Sequence, residues 1–401
     1  MTDLSVTSGL NIAQSTLDTI ASNVANVSTP GYKAGSYSFL ATLSASADAV
    51  LSDPSSGVIQ RFSQGGIATT GNPLNAAING QGFFQVTNSN DQTSYTRNGE
   101  FAIGSKSALQ LVNGSNVMGY NADGEGKILP TLTSITLDQT PLPPSATTSI
   151  GMNVNLAGSV PVPSNPTFDP LDPASYNNSQ TVGVFDQSGL SHNFQTYFAK
   201  SSTANTYDVY FSLDKASISP SKTTSPVSLL FNPDGTQSPT SPKTIDFDMP
   251  ANGSTFPISL DVSKLTQFGK AYQSIAVTQD GYGVGNFSGF SIEQDGKISA
   301  AYSNGQSMVK AQLSLANFIN PEGLTRTNDG MYLESSASGQ PTVGIPGSGA
   351  LGVLLPASLE SSNVDVASAM VDMITAQRNY QANAQAVKIN DQIMQTLVSL
   401  R

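Results

Sequence analysis

Few residues in this chain have the type and spacing to do chemistry, and its histidine is the first to weigh. The 401 residues hold one histidine, His192, and no cysteine. Asp186, Ser188 and Ser191 lie beside it. Those are the residue types of a hydrolytic triad: a carboxylate to orient an imidazole, the imidazole to take a proton, and a hydroxyl to attack. Three groups within one short turn-rich stretch rarely reach that geometry, and no nucleophile-elbow motif surrounds either serine. A loop histidine is expected instead. Asp246 and Asp248 alternate as in a strand and share one face. Paired carboxylates can serve as acid and base on a glycosidic bond, but a solvated strand face is the expectation. The run Asn121-Ala122-Asp123-Gly124-Glu125-Gly126 lacks the ligand spacing and closing Glu of an EF-hand, so a β-turn is expected. Gly281-Tyr282-Gly283-Val284-Gly285 is not a phosphate cradle, because no Lys-Ser/Thr follows and no helix is expected after it. Without cysteine there are no disulfides, thiolate nucleophiles or Cys-ligated metals. No catalytic residue, metal site or cofactor is expected.

Charge excludes further classes. The chain has 17 basic and 28 acidic residues, a net charge of -11, and no Lys/Arg run. Nucleic acid needs basic clusters to displace phosphate counterions, and an anionic membrane surface needs them too; neither partner is expected. No apolar run approaches the roughly 18 residues of a membrane helix, so no membrane insertion is expected. The first residues lack a basic n-region. The expectation is a protein that is cytoplasmic, or exported without a cleaved signal peptide. Charged residues make up 11%, against about 25% in an ordinary soluble domain. With many Gly, Asn, Ser and Thr residues, this suits a surface covered by neutral polar contacts with neighbours.

The elements are organised by the two ends. Leu10, Ala13, Leu17, Ile20, Val24 and Val27 follow heptad steps. Pro30 then blocks helix continuation and Gly31 follows it. A helix is predicted from about Asp3 to Val27, roughly 37 Å long. Near the other end, Asn363 is the expected N-cap, with Asp365 facing the positive end of the dipole. The stripe there runs Val366, Met370, Met373, Gln377, Tyr380, Ala384, Val387, Met394 and Val398. Ile389, Ile393, Leu397 and Leu400 widen its apolar face, which implies contact with several helices; this helix should span roughly 57 Å. The middle reads as β structure. Short alternating runs such as Phe83-Phe84-Gln85-Val86, Tyr207–Phe211 and Phe290-Ser291-Ile292 are punctuated by Asn98-Gly99, Asp123-Gly124, Asp234-Gly235, Asp280-Gly281, Asp295-Gly296, Asn304-Gly305 and Asp329-Gly330. The fold class is therefore mostly β with terminal α-helices that pair as a coiled coil, around a discontinuous middle β domain that carries an inserted outer β domain.

The residues at both ends also resemble a known family. Ser8-Gly9-Leu10-Asn11 and Asn23-Val24-Ala25-Asn26-Val27-Ser28-Thr29-Pro30-Gly31-Tyr32-Lys33 are similar to the N-terminal signature of flagellar basal-body rod and hook proteins. Leu359-Glu360-Ser361-Ser362-Asn363-Val364-Asp365, then Gln377-Arg378-Asn379-Tyr380-Gln381-Ala382-Asn383-Ala384, resemble the C-terminal one. Ile78-Asn79-Gly80-Gln81-Gly82-Phe83-Phe84 and Tyr95-Thr96-Arg97-Asn98-Gly99-Glu100-Phe101 resemble a first β segment; Tyr302-Ser303-Asn304-Gly305-Gln306 and Ala316–Leu324 resemble a second. The likeness covers about residues 1–125 and 285–401.

The resemblance implies four parts: a helical coiled-coil layer, 1–30 with 359–401; an extended linking segment, 31–71; a middle β domain, 72–147 with 285–358; and an outer β domain, 148–284. It implies a structural subunit forming a helical homopolymer, exported by the flagellum's type III apparatus, with rod, cap and junction proteins as neighbours. The large insert points to the hook, a curved hollow tube that transmits torque from rod to filament. A distal rod protein is the alternative within the family, and a secreted β-rich adhesin the alternative outside it. The terminal helices are expected to be disordered in the monomer and to fold on incorporation, since a short isolated helix is marginal in water.

Overall fold

Among the described residues, two α-helices and a set of short, mostly antiparallel β-sheets carry the fold. The computed structural model describes residues 2–37, 57–88, 90–222, 225–251, 254–327 and 329–399. Positions 38–56 of the linking segment lie outside the described residues. The chain divides into two compact units. One holds 1–139, 288–301 and 307–401; the other holds 140–287 and 302–306.

In the first unit, helix α1 spans Thr2–Ala25 and helix α2 spans Val366–Ser399. Helix α1 stops two residues before the predicted end. The Asn26 side chain donates to Ser22 O at 2.9 Å, and Val27 N reaches back only three residues, to Val24 O. The chain is already tightening into its exit turn, and Val27 lies past the last helical residue. Asn363 is not the N-cap of α2. Asp365 has that role, accepting from Ala367 N at 2.9 Å, because the Asn363 amide is committed to the linking segment. Helix α1 packs against α2 and the strand Gly35–Tyr37, and the unit's main sheet is built around Phe83–Thr87, which pairs antiparallel with Thr93–Thr96, Asn116–Ala122 and Leu315–Asn317. A knot of aromatic rings fills its core: Phe83 meets Phe62, Phe318 and Tyr332 edge-on at 5.3–6.0 Å.

The second unit is a sandwich of two sheets. One orders its strands Thr244–Ala251, Ser254–Asp261, Ser149–Asn155 and Gln273–Gln279; the other runs Asn178–Phe185, Ser191–Lys200, Thr206–Leu213 and Ala216–Ile218, with Val227–Leu230 added on Thr206–Leu213. Alternate residues point inward, as the pleat requires. Phe194 and Phe211 of one sheet meet Phe247 of the other at 5.4 and 4.7 Å.

Most of the Asx-Gly pairs close hairpins, but two do not. Asn98-Gly99 links strands that are not partners of each other. Its glycine is required because the Ala76 carbonyl passes where a Cβ would stand, 1.7 Å away. Asp280-Gly281 ends a strand, and the Asp280 carboxylate accepts from Thr148 N, Ser149 N and the Thr148 hydroxyl at 2.6–2.9 Å. Conversely, Leu213 and Ala216 are joined by Asp214-Lys215, a tight turn with φ of +48 and +71 and no glycine.

Candidate assembly interface and the buried junction behind it

The chain's rare charges meet where its two ends converge. After α1, Pro30 turns the backbone and Gly31 adopts a φ of +70. A Cβ there would lie 2.4 Å from Asn98 N and 2.5 Å from the Arg97 carbonyl carbon, so only glycine lets the turn dock. Gly31 N then donates to Glu360 O at 2.7 Å, which ties the exit of α1 to the approach to α2. The Glu360 side chain, with no exposed surface, receives Lys33 Nζ at 2.5 Å, Gly65 N at 2.9 Å and Arg97 Nη1 at 3.4 Å. Lys33 also donates to Ser63 O at 2.8 Å, and Arg97 Nη2 to Gly80 O at 2.7 Å. Burial lowers the pKa of Lys33 and of Arg97, and the Glu360 carboxylate opposes that shift in both. One carboxylate therefore answers two buried cations, held by segments from three parts of the sequence.

A second layer of polar contacts surrounds this junction. Asn23, buried on α1, donates to Gly35 O at 2.7 Å and accepts from Gly35 N at 2.9 Å. Tyr32 donates to the same Asn23 oxygen at 3.2 Å, and Arg326 lies over the Tyr32 ring at 4.6 Å. Asn363 donates to Arg61 O at 2.7 Å and accepts from Ala34 N at 2.7 Å. Helix α1 and the start of α2 are thus fixed to the β structure by side chains that the backbone there could not replace.

Beyond the junction the helices lie against each other along a seam of small residues. Ala13 is buried on α1, and Ala369 and Ala376 on α2. Asn383 Nδ2 donates to Gly9 O at 3.1 Å. A cavity of about 480 Å³ opens between α1, α2 and the linking segment, lined by Thr16, Asn23, Arg61, Asp365 and Ala376 among others.

Known proteins with this chain's pattern are flagellar. Residues 5–33 match the family of flagella basal body rod proteins, 77–162 the flagellar hook protein FlgE/F/G D1 domain, 153–282 the flagellar basal body protein FlaE D2 domain, and 356–400 the flagellar basal body rod FlgEFG protein C-terminal family. The flagellar hook protein FlgE of Salmonella typhimurium is 38% identical over 98% of both chains. The chain belongs to the FlgE family of flagellar hook proteins. The FlgE proteins of Escherichia coli and Rhizobium meliloti are 37% and 31% identical, each over 98% of this chain and 98% and 97% of their own. In fold, the chain resembles the crystal structure of Helicobacter pylori flagellar hook protein FlgE2, with a TM-score of 0.53, 15% identity, and coverage of 73% of this chain and 100% of that one.

In this FlgE-family chain the predicted stripe residues take different positions. Ala13 lies in the seam, and Leu10, Leu17, Ile20, Val24 and Val27 are half-buried. On α2, Met373 and Val387 are half-buried, while Val366, Met370 and Tyr380 are exposed; the side chains of Met394 and Val398 lie outside the described residues. The intramolecular seam of α2 runs through Ala369 and Ala376, alanines that the stripe does not include. Among the signature residues, Asn23, Gly31, Tyr32 and Asn363 converge at the junction, with Asn26, Ser362 and Val364 half-buried beside it. Asp365 caps α2, and Arg378, Asn379 and Tyr380 lie exposed along it.

Lys33, Arg97, Glu360 and Arg326 were not singled out from the sequence. Their signal was rarity: in a chain with 11% charged residues, the first three fall inside signature motifs. The residues with catalytic types are arranged otherwise than a triad. His192 is on the strand Ser191–Lys200, not in a loop. The Ser188 hydroxyl donates to Asp186 at 2.7 Å, and both imidazole nitrogens face carboxylates. Asp246 accepts from Lys222 at 2.6 Å and from Ser259 at 3.0 Å. Asp123 closes a turn by accepting from Glu125 N and Lys127 N.

Proposed function

We propose that this chain is the structural subunit of a bacterial flagellar hook, polymerising into a curved hollow tube that acts as a flexible, torque-transmitting joint between rod and filament. The observation that carries this reading is an imbalance on α2. The helix covers alanines against α1 and presents Val366, Met370, Val371, Ile374, Ile389 and Ile393 to solvent. Fully burying a side chain of this kind contributes about 1.5–3 kcal/mol, so neighbouring copies that cover the row gain a large driving force. Heterologous contacts whose rotation does not close grow a helix rather than a ring.

The buried junction gives the polymer a stiff connection. Load applied to the helices reaches the β structure through Glu360, Lys33, Arg97, Asn23 and Asn363, which are held on several sides and have no room to yield. The four-part division stated from sequence fits this reading: 1–30 with 359–401 as an inner helical layer, 31–71 as the link, 72–147 with 285–358 as the middle domain, and 148–284 as the outer one. The partners that follow are copies of itself, the rod, the hook cap and the hook–filament junction proteins, with the type III apparatus as its export route and the extracellular hook as its location.

Electron microscopy of purified full-length protein induced to polymerise tests the reading. Curved hollow tubes are the expected product. Straight rigid tubes would move the assignment to the distal rod, and a protein that never associates would remove it.

A further inference from the structure

We propose that His192 is a proton-carrying latch that fixes the neck of the second unit, where its chain enters and leaves. The neck is a pair of crossing segments. Leu142 and Gly285 exchange backbone hydrogen bonds at 2.8 and 3.1 Å, and Ser145 and Tyr282 do so at 3.0 and 2.9 Å. Its glycines invite the reading of a hinge, yet their space is filled. A Cβ on Gly281 would meet Thr147 at 2.3 Å, and one on Gly285 would meet the Asn304 side chain at 2.7 Å.

The turn Asp186–Leu190 is packed against this neck. Gly189, at a φ of +83, is so close to Pro144 that a Cβ would stand 2.7 Å from it, and a Cβ on Gly283 would meet Gly189 O at 3.2 Å. Asp186 holds the turn in shape by accepting from Ser188 N, the Ser188 hydroxyl and Leu190 N at 2.7–2.9 Å. Phe185, which precedes it, exchanges bonds with Thr147 at 2.9 Å. What happens to Asp186 is therefore passed to the neck.

His192 faces Asp186 from the far side. Its Nε2 faces Asp186 Oδ2 at 3.5 Å, and its Nδ1 lies 2.7 Å from Asp214 Oδ2. Asp214 is itself pinned in the left-handed region, at a φ of +48, by accepting from Asn193 N at 2.8 Å. The facing sheet contributes the uncharged Phe256 ring, 6.5 Å from the imidazole. Among the described residues, the charged groups that act on the ring are these two carboxylates. A neutral imidazole has one N–H and one lone pair, so whichever tautomer it takes, a lone pair is set against a carboxylate oxygen. Only the imidazolium satisfies both sides. The Asp214 hydrogen bond accordingly raises the His192 pKa, with a smaller contribution from Asp186 against the opposing effect of burial.

The direction of the pH effect follows. The fold holds the proton more tightly than the unfolded chain, so the latch is closed below the ordinary value of 6.5 and opens as pH rises through the raised one. The inference concerns the monomer and does not depend on the hook reading.

The test is amide exchange of the full-length monomer at pH 5.5 and 8.5, corrected for intrinsic rates and compared with His192→Gln. In the unsubstituted protein, protection of 186–190 and 282–285 should fall by roughly threefold or more at the higher pH. The variant should show the lower protection at both. A flat profile in the unsubstituted protein, or a pH effect that survives His192→Gln, would overturn the proposal. If the variant does not fold, NMR titration of the chain's single imidazole decides: a midpoint above 6.5 is expected, and one at or below it rejects the latch.

Discussion

Lys33 and Glu360 stand 327 positions apart in the chain and meet at 2.5 Å, with neither side chain exposed. The pair joins the segment leaving α1 to the strand leading into α2, and Arg97 joins it from the bend after the strand Thr93–Thr96. A buried ion pair is seldom a net source of stability, because desolvating both charges offsets their attraction. Its value here is geometric. It fixes where α1 ends and α2 begins relative to the β structure of the first unit.

Glu360→Gln removes the charge and keeps the shape. Two buried cations would then face a neutral amide, and the expected loss is about 3–5 kcal/mol for unfolding of the first unit. Lys33→Met should cost less, because Glu360 keeps Arg97 and Gly65 N. Urea unfolding of the full-length monomer measures both variants, and the double mutant should lose less than the sum of the two. Equal costs for the single changes would show that Glu360 has no special position.

Gly31 and Gly71 have similar backbone angles, φ +70 and φ +76, but different surroundings. Nothing lies within 4 Å of a Cβ built on Gly71, whereas one on Gly31 overlaps the Arg97–Asn98 backbone. Gly71→Ala should cost only the strain of the left-handed region, about 1 kcal/mol. Gly31→Ala should cost clearly more and should loosen the Gly31–Glu360 hydrogen bond. Thermal unfolding of the two variants side by side tests this, and comparable melting temperatures would contradict it.

The helical seam buries alanines, which contribute little apolar area. In the monomer, amides of α1 and of α2 beyond the junction should therefore exchange faster than those of 76–87, by a factor of about a hundred or more. In the polymer they should become protected. Strong protection of both helices in the monomer would mean that they are already satisfied within one molecule.

How much of this was legible in the sequence depended on range. Local periodicity located both helices and the runs around Phe83, Tyr207 and Phe290, because each element reports its own exposed and buried faces. Near neighbours also foretold Asp123 as a turn residue. Long-range contact was not visible. Asn363 has the chemistry of an N-cap, but Arg61, Ser63 and Ala34 claim it, and Asp365 caps instead. Asp214-Lys215 carries no glycine to announce its turn, and its aspartate is held by Asn193 from another strand. The seam of α2 escaped for a different reason: periodicity selects large apolar residues, while two helices in close approach prefer alanine.

Two kinds of helix substitution should separate contact within a molecule from contact between molecules. Ala376 is buried in the seam, and Met370, less than two turns earlier, is 46% exposed. Ala376→Leu inserts bulk between α1 and α2, so the monomer should lose about 1–3 kcal/mol at the helices. Met370→Asp touches nothing that the monomer buries and should leave its unfolding unchanged within about 0.5 kcal/mol. In an assembled tube, however, the same aspartate would place a charge where a neighbouring copy needs an apolar surface, and the desolvation penalty recurs at every subunit. Polymerisation followed by light scattering and electron microscopy should fail for Met370→Asp while its circular dichroism matches the parent. Normal tubes from that variant would show that the exposed row of α2 is not a contact between copies.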